Sequence, residues 1–223
     1  RIAAHSRAID AAWDKARSKG GVLLYNGSLL VYTGHETLSG RTCVTGHFAE
    51  YKHFIAHRND PALGLDINPV GVSGLVTGLD RGEPFTVFAR RAFNCSTYGG
   101  YYELVPSGAI ALCDALPDGR VDFARRLLLE FEEEVGPAPE AARCAVSPMA
   151  FLHDAAGGVY DVCCLVETDL APAFFKEHIS QSEEYSGAEC VPISHTREFA
   201  SAHISEIVPT TLGILDAFFS LRQ

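Results

Sequence analysis

Leu129-Glu130-Phe131-Glu132-Glu133-Glu134-Val135-Gly136 closes the strongest helical segment of the chain. That segment runs from Val121 to Val135 and is rich in Leu, Arg, Glu and Ala. Asp118-Gly119 before it and Gly136-Pro137 after it are residues that bound helices. In a helix Glu130, Glu133 and Glu134 stand at i, i+3 and i+4, so their carboxylates project from one face of neighbouring turns. Like charges at that spacing cost roughly 0.2–0.5 kcal/mol per pair and raise one another's pKa when desolvated. A hard divalent cation cancels the repulsion, and Mg²⁺ uses few carboxylates, completing its shell with water and substrate phosphate. A solvated acidic face is the other reading of the same pattern, and the helix alone does not choose between them.

Working outward, Tyr101–Val105 reads as a short strand followed by a break at Pro106-Ser107-Gly108. Before it, Val70–Leu79 and Phe85–Ala92 form a strand hairpin about Asp80-Arg81-Gly82, and Cys95–Gly100 is loop. After the acidic helix, strands are predicted over Ala142–Leu152 and Val159–Thr168, joined by a turn at Asp154–Gly158. A helix over Ala171–Ile179, a strand over Glu189–Ile193 and an amphipathic helix over Pro209–Leu221 complete that part. Near the start, apolar spacing predicts a helix over Ile2–Ser18 ended by Lys19-Gly20-Gly21, then a small hairpin within Gly21–Val31 around Asn26-Gly27. Thr42–His57 reads as a strand passing into a short helix, and the Pro-, Gly- and Asp-containing stretch Arg58–Pro69 as a boundary. The expectation is a layered α/β or α+β domain over residues 67–223, preceded by a small α+β extension over residues 1–66.

With 223 residues, 47% of them hydrophobic and 21% charged, the chain can bury one full core. A net charge of −10 argues against nucleic acid as a partner, since such binders exchange a basic patch for phosphate counterions. The apolar runs Val159–Val166 and Ile214–Leu221 are too short to span a bilayer and no N-terminal signal pattern is visible, so a soluble, cytoplasmic protein without a membrane partner is expected. The seven cysteines (Cys43, Cys95, Cys113, Cys144, Cys163, Cys164, Cys190) show no C-x-x-C spacing, which predicts reduced, mostly buried thiols. None of the nine histidines stands at H-E-x-x-H or H-x-H spacing.

The succession of strand, Pro-Ser-Gly break, helix and closing Gly136 resembles the Nudix hydrolase superfamily, whose box reads G-x5-E-x7-R-E-U-x-E-E-x-G-U with U a bulky aliphatic residue. Glu130 matches the first metal-binding glutamate, Phe131 the bulky position, Glu133 and Glu134 the glutamate pair, Gly136 the closing glycine, and Gly108 the opening one. The match departs from the box in several places. Leu129 occupies the box arginine and Val121 the earlier glutamate, so an apolar contact is expected where the family has an ion pair. Pro137 stands at the last bulky position, and the chain between Gly108 and Glu130 is longer than the box, implying an extended loop around Leu112–Arg120. Asn68–Gly74, Phe88–Arg91, Tyr98–Glu103 and Tyr160–Glu167 look like further elements of that fold. The early helix with Trp13, Tyr25-Asn26-Gly27 and Tyr51–Arg58 resemble the N-terminal extension of UDP-sugar diphosphatase-type members.

The resemblance implies an α/β/α sandwich around a mixed sheet and a hydrolase that cleaves a nucleoside diphosphate joined to another moiety, a nucleotide sugar being favoured. It implies Mg²⁺ or Mn²⁺ held by Glu130, Glu133 and Glu134 with Gly108, and Glu133 or Glu134 acting on water. Glu184, beside Glu183, falls where some members recruit a base. For substrate contacts, Arg90 and Arg91 alternate across a strand so that one faces phosphate, and Tyr98 and Tyr102 are candidates to stack on a base, with packing as the commoner use. The N-terminal extension is expected either to form a homodimer interface or to cover the pocket. Two other readings stay open: a degenerate module that binds a nucleotide or partner without hydrolysis, and a phosphohydrolase acting on a non-nucleotide diphosphate in a biosynthetic pathway.

Overall fold

The computed structural model describes residues 2–18, 24–95 and 97–222. Its organising element is β3 (Pro69–Asp80), which alternates strictly between two buried faces. Val70, Val72 and Val76 face one layer of helices and Leu75 faces the other. β4 (Glu83–Arg91) repeats the pattern, with Phe85, Val87 and Ala89 on the first face and Phe88 on the second. A strand covered on both sides has to be apolar at every position, which is why the run Val70–Leu79 reads so clearly in the sequence. The β3–β4 hairpin turns at Arg81 and Gly82, both with positive φ.

The other strands assemble around this pair. β5 (Tyr102–Leu104) and β9 (Tyr185–Pro192) pair antiparallel with β4. β6 (Ser107–Ala109) pairs antiparallel with β3, while β8 (Val159–Thr168) pairs parallel with it from Val70↔Tyr160 to Thr77↔Glu167. β7 (Cys144–Asp154) then pairs antiparallel with β8. The sheet is therefore mixed. The stretch Pro106-Ser107-Gly108, predicted as a break, is strand over its last two residues because β3 offers them an edge.

On the first face lie α3 (Phe123–Glu130), continued by a π-helical turn (Phe131–Val135), and α4 (Pro172–Ile179). Leu127, Phe131, Val135, Phe175 and Ile179 close that half of the core. On the second face lie α5 (Thr196–Ala202), absent from the sequence reading, and α6 (Pro209–Ser220), contributing Ala200, Ile214, Leu215 and Phe218. Each large apolar side chain buried this way contributes about 1.5–3 kcal/mol. The architecture is an α/β/α sandwich around a mixed sheet, as expected.

The N-terminal part forms a third cluster in which α1 (Ser6–Ser18) and α2 (Tyr51–Asn59) bring Ile9 and Phe54 against Leu29 and Val31 of β1 (Ser28–Leu38). β1 also joins the main sheet through Leu30↔Val70 and Val31↔Pro69. Here the structure corrects the predicted hairpin, part of which (residues 21–23) lies outside the described residues. Asn26-Gly27 is not a β-turn. The hairpin is β1 with β2 (Arg41–Glu50), turning at Ser39-Gly40, where both residues have positive φ. Asn26 instead ties down the start of α2, donating from Nδ2 to Glu50 Oε2 at 2.6 Å and accepting from the Lys52 N–H at 2.9 Å. The cysteine expectation is corrected too: Cys163 and Cys164 are buried, but Cys43 and Cys113 are exposed and the other three are half-buried. All seven are free thiols. Among the described residues, no helix is long and apolar enough to cross a membrane.

Candidate functional site

The acidic helix begins at Asp122, whose carboxylate accepts from the Arg125 N–H at 3.0 Å and caps the first turn. Phe131 and Val135 anchor its other side in the core, which presses Glu130 and Glu134 against β6. Both carboxylates are buried. Glu134 accepts from the Ser107 N–H at 3.1 Å. The Glu130 carboxylate occupies the space where a side chain on Gly108 would stand, since a Cβ there would lie 1.6 Å from its Oε1. Only glycine fits at 108.

Glu133 does not share this face. Its side chain is 66% exposed and its one described contact is Arg126, at 3.4 Å. A π turn advances less per residue than an α turn, so i+4 stays beside i while i+3 moves away. The expectation that all three glutamates project together is corrected to a pair.

Arg126, one turn before Glu130, donates from Nε to Glu130 Oε1 at 2.9 Å. This corrects the expected apolar contact: an Arg–Glu ion pair is present, supplied from within the helix, and Leu129 takes no part in it.

A carboxylate that the residue-by-residue site reading passed over completes the cluster. Glu103 on β5 is buried on the face opposite Tyr102 and pairs with Arg91 Nη1 at 2.5 Å. Burial outweighs Arg91 and raises its carboxyl above the usual range. Glu130 is raised as well, by burial against the pull of Arg126. Glu134 is raised well above the ordinary glutamate value, first by burial and then by the charge of Glu103, with the Ser107 N–H opposing. Glu184 is exposed, just before β9, and its charge adds to the raised values of all three. The Tyr185 hydroxyl, next to it in sequence, is buried near Glu103 and Glu134 and is pushed up chiefly by burial, with the charges of those two carboxylates adding.

The remaining expected contacts separate onto different surfaces. Arg91 is committed to Glu103 and to the Thr97 carbonyl, 3.1 Å from its Nε. Arg90 points to the other face, donating to the Gly100 carbonyl at 3.0 Å with its guanidinium over the Tyr102 ring. Tyr102 itself is buried against Phe199 and His203, so it packs where base stacking was expected. Tyr98 is open to solvent, with positive φ and its ring against Tyr101. It lines a cleft of about 410 Å³ shared by Glu103, Ser107 and Gly108.

Hard carboxylate oxygens suit Mg²⁺ or Mn²⁺, and mutual charge in a buried cluster is what a cation relieves. The donor chemistry of Glu103, Glu130 and Glu134 fits such an ion. Among the described residues, however, no three acidic, His or Cys groups converge as a ready-made ligand set, and Arg126 and Arg91 hold two of the carboxylates in ion pairs.

A mixed sheet lies between α3 with α4 and α5 with α6, and a short strand leads through a glycine to a helix whose Glu130 folds back on that glycine. This is the layered arrangement that the sequence resemblance implies. No protein-family model and no curated protein matches the chain. Among solved structures it is similar to a mutT/nudix family protein from Listeria innocua, at 13% identity over 68% of this chain and 92% of that one, with a TM-score of 0.48. The NUDIX domain of Shewanella oneidensis NrtR, complexed with ADP ribose, aligns at 12% identity over 74% and 94%, TM-score 0.45. An Ap4A hydrolase from C. elegans aligns at 13% over 68% and 96%, TM-score 0.43. The chain departs from the box pattern in pairing Glu130 with an arginine at 126.

Proposed function

We propose that this chain is a divalent-metal-dependent hydrolase of the diphosphate in a nucleoside diphosphate-linked compound, a nucleotide sugar being favoured. The observation that carries the reading is the burial of Glu130 against Gly108 and of Glu134 at the Ser107 N–H, beside Glu103, with each carboxyl raised above its usual range chiefly by desolvation. Such a cluster is costly unless a cation or bound protons neutralise it. Mg²⁺ or Mn²⁺ held by Glu130, Glu134 and Glu103 would supply charge neutralisation to phosphate oxygens and acidify water. The chain's own residues do the rest. Gly108 leaves room for Glu130, and the Ser107 N–H fixes Glu134. Glu184, exposed just before β9, would take a proton from water, and Tyr98 would offer an open ring to a base. Glu133 stands outside this set.

Glu134→Gln is expected to abolish Mg²⁺-dependent release of a nucleoside monophosphate from a nucleotide-sugar panel while leaving the fold intact by circular dichroism. Full activity in that variant would remove the assignment.

One observation favours a second reading, a module that binds its ligand without cleaving it. Arg126 and Arg91 already neutralise Glu130 and Glu103. Calorimetry with a nucleotide sugar, followed by chromatography of the same sample, separates the two: the non-cleaving module returns its ligand unchanged.

A further inference from the structure

The loop between β6 and α3 returns one more buried carboxylate to the acidic helix. A 3₁₀ turn over Leu112–Asp114 opens that loop, and Asp114 is only 2% exposed. One of its oxygens has a local use, since Asp114 Oδ2 accepts from the Ala111 N–H at 2.8 Å. The other has none. Asp114 Oδ1 is buried and, among the described residues, meets no hydrogen-bond donor. A buried carboxylate oxygen left without a donor is costly, and such exceptions in a folded protein call for a partner.

Arg126 is the donor within reach. The Asp122 N–H donates to the Asp114 carbonyl at 3.1 Å, and a bridge between Ala115 and Val121 holds the loop against the first turn of α3. Asp122, Arg126 and Glu130 follow at intervals of four, so they stack along one side of the helix, with Asp114 bonded at the level of the first. Arg126 reaches one turn forward to Glu130, Nε to Oε1 at 2.9 Å, and extends to Glu133 at 3.4 Å. One turn back is the same span, and it is the direction in which helical side chains leave the backbone. The two groups already act on each other. Burial opposes the charge of Arg126, and Glu130, then Glu133 and Asp114, outweigh it and raise the guanidinium above its ordinary value.

A cation at Glu130 takes the carboxylate that now neutralises Arg126, whose side chain is 16% exposed. A guanidinium so enclosed is destabilising without a counter-charge. Glu133 is a weak substitute, because its side chain is 66% exposed and shares its charge with water. Asp114 is buried and holds a free acceptor.

We propose that Asp114 is a positioning residue for the metal site: as Glu130 is given up to Mg²⁺ or Mn²⁺, Arg126 turns back one helical turn and donates to Asp114 Oδ1. Neither the guanidinium nor the Asp114 carboxylate is then left buried and unpaired. This rests on the reading of Glu130 as a metal ligand, but not on cleavage.

A double-mutant cycle on the full-length protein, with Mn²⁺ binding read by calorimetry, tests the exchange of partners. Asp114→Asn keeps an acceptor for the Ala111 N–H and removes the charge. It is expected to weaken Mn²⁺ binding by about tenfold or more, as loss of a group that supports a metal ligand does. Arg126→Ala has no guanidinium to rehouse, so adding Asp114→Asn to it is expected to leave Mn²⁺ affinity unchanged. Asp114→Ser, whose hydroxyl can also accept from the Ala111 N–H, decides the matter if the asparagine variant does not fold. The Arg126 Nε–H signal in ¹⁵N NMR spectra, identified by its absence from Arg126→Lys, follows the movement itself. With Mg²⁺ it is expected to shift yet stay protected from exchange in wild type, and to be lost to exchange with water in Asp114→Asn. Three results overturn the proposal while leaving Glu130 as a ligand: equal losses of Mn²⁺ affinity in the wild-type and Arg126→Ala backgrounds, unchanged affinity in Asp114→Asn, as when Glu133 alone receives Arg126, or an Arg126 signal that Mg²⁺ does not move. Absence of Mn²⁺ binding in wild type overturns the metal-site reading and this proposal together.

Discussion

Arg126 and Glu130 form an ion pair across one turn of the acidic helix, with Nε to Oε1 at 2.9 Å, so the glutamate matched to a metal ligand is neutralised by its own helix. Metal and guanidinium compete for the same carboxylate. Arg126→Ala is expected to lower stability without metal by about 3 kcal/mol, because Glu130 stays buried without its partner. The same variant is expected to bind Mn²⁺ more tightly than wild type, and saturating Mn²⁺ to restore its melting temperature. Calorimetry and thermal melts with and without Mn²⁺ check both. Weaker Mn²⁺ binding would show that the arginine orients Glu130 for the ion instead of competing with it.

Gly108→Ala places a methyl group where the Glu130 carboxylate now lies. The side chain of Glu130 must swing away, at an overpacking cost of about 1–3 kcal/mol. The protein is expected to fold, with a modestly lowered melting temperature, and to lose Mn²⁺ affinity nearly as completely as Glu130→Ala does. Unchanged Mn²⁺ affinity in the alanine variant would separate Gly108 and Glu130 from the metal site.

The layered fold was legible wherever a strand or helix had an unmixed environment. The β3–β4 hairpin announced itself because both its faces are buried, and α3 because its composition and end residues agree. The β1–β2 hairpin did not, since Thr33–Leu38 runs out into solvent and loses the apolar alternation that marks a strand. Asn26-Gly27 carried a turn signal but spends it on the start of α2. In the candidate site, Glu130 and Glu134 were visible from spacing, yet the turning away of Glu133 depends on a π turn that spacing does not reveal. Glu103 on β5 and Asp161 on β8 share one explanation. Each is a single acidic residue between apolar neighbours on a strand, which reads as an outward-facing position until the helices on both sides are known. In a strand covered twice, such a residue is the anomaly to look for.

Asp161 on β8 makes a prediction about pH. Burial chiefly, with Asp154 adding and Ser73 opposing, raises its folded-state value above the unfolded one. The folded state then binds more protons than the unfolded state between those two values, so the group's contribution to stability is greatest at low pH. It is lost as pH rises from about 3.9, the ordinary aspartate value, through the raised folded value. Asp161→Asn removes that titration. Relative to wild type, the variant is expected to gain stability steadily from about pH 4 upward, read from urea denaturation at a series of pH values. A difference that stays flat with pH would mean the carboxyl titrates normally in the folded protein.

Arg91 and Glu103 bridge β4 and β5 beneath the cluster, with side chains 20% and 8% exposed. Both ends of the pair are therefore largely removed from water, and deleting one strands the other. Arg91→Ala is expected to cost roughly 3–5 kcal/mol, since Glu103 is then buried without its counter-charge beside Glu134. Glu103→Gln is expected to cost less, because it removes a charge that also repels Glu134. The double variant Arg91→Ala/Glu103→Gln is expected to be more stable than the sum of the two single losses predicts, with a coupling of about 1–3 kcal/mol. Urea denaturation of the four proteins at neutral pH closes the cycle, and a coupling near zero would mean that solvent or Tyr185 takes over from the arginine. Glu103→Gln has a second expected effect that a purely structural pair does not: weaker Mn²⁺ binding than wild type, even where its stability is restored by lowering the temperature.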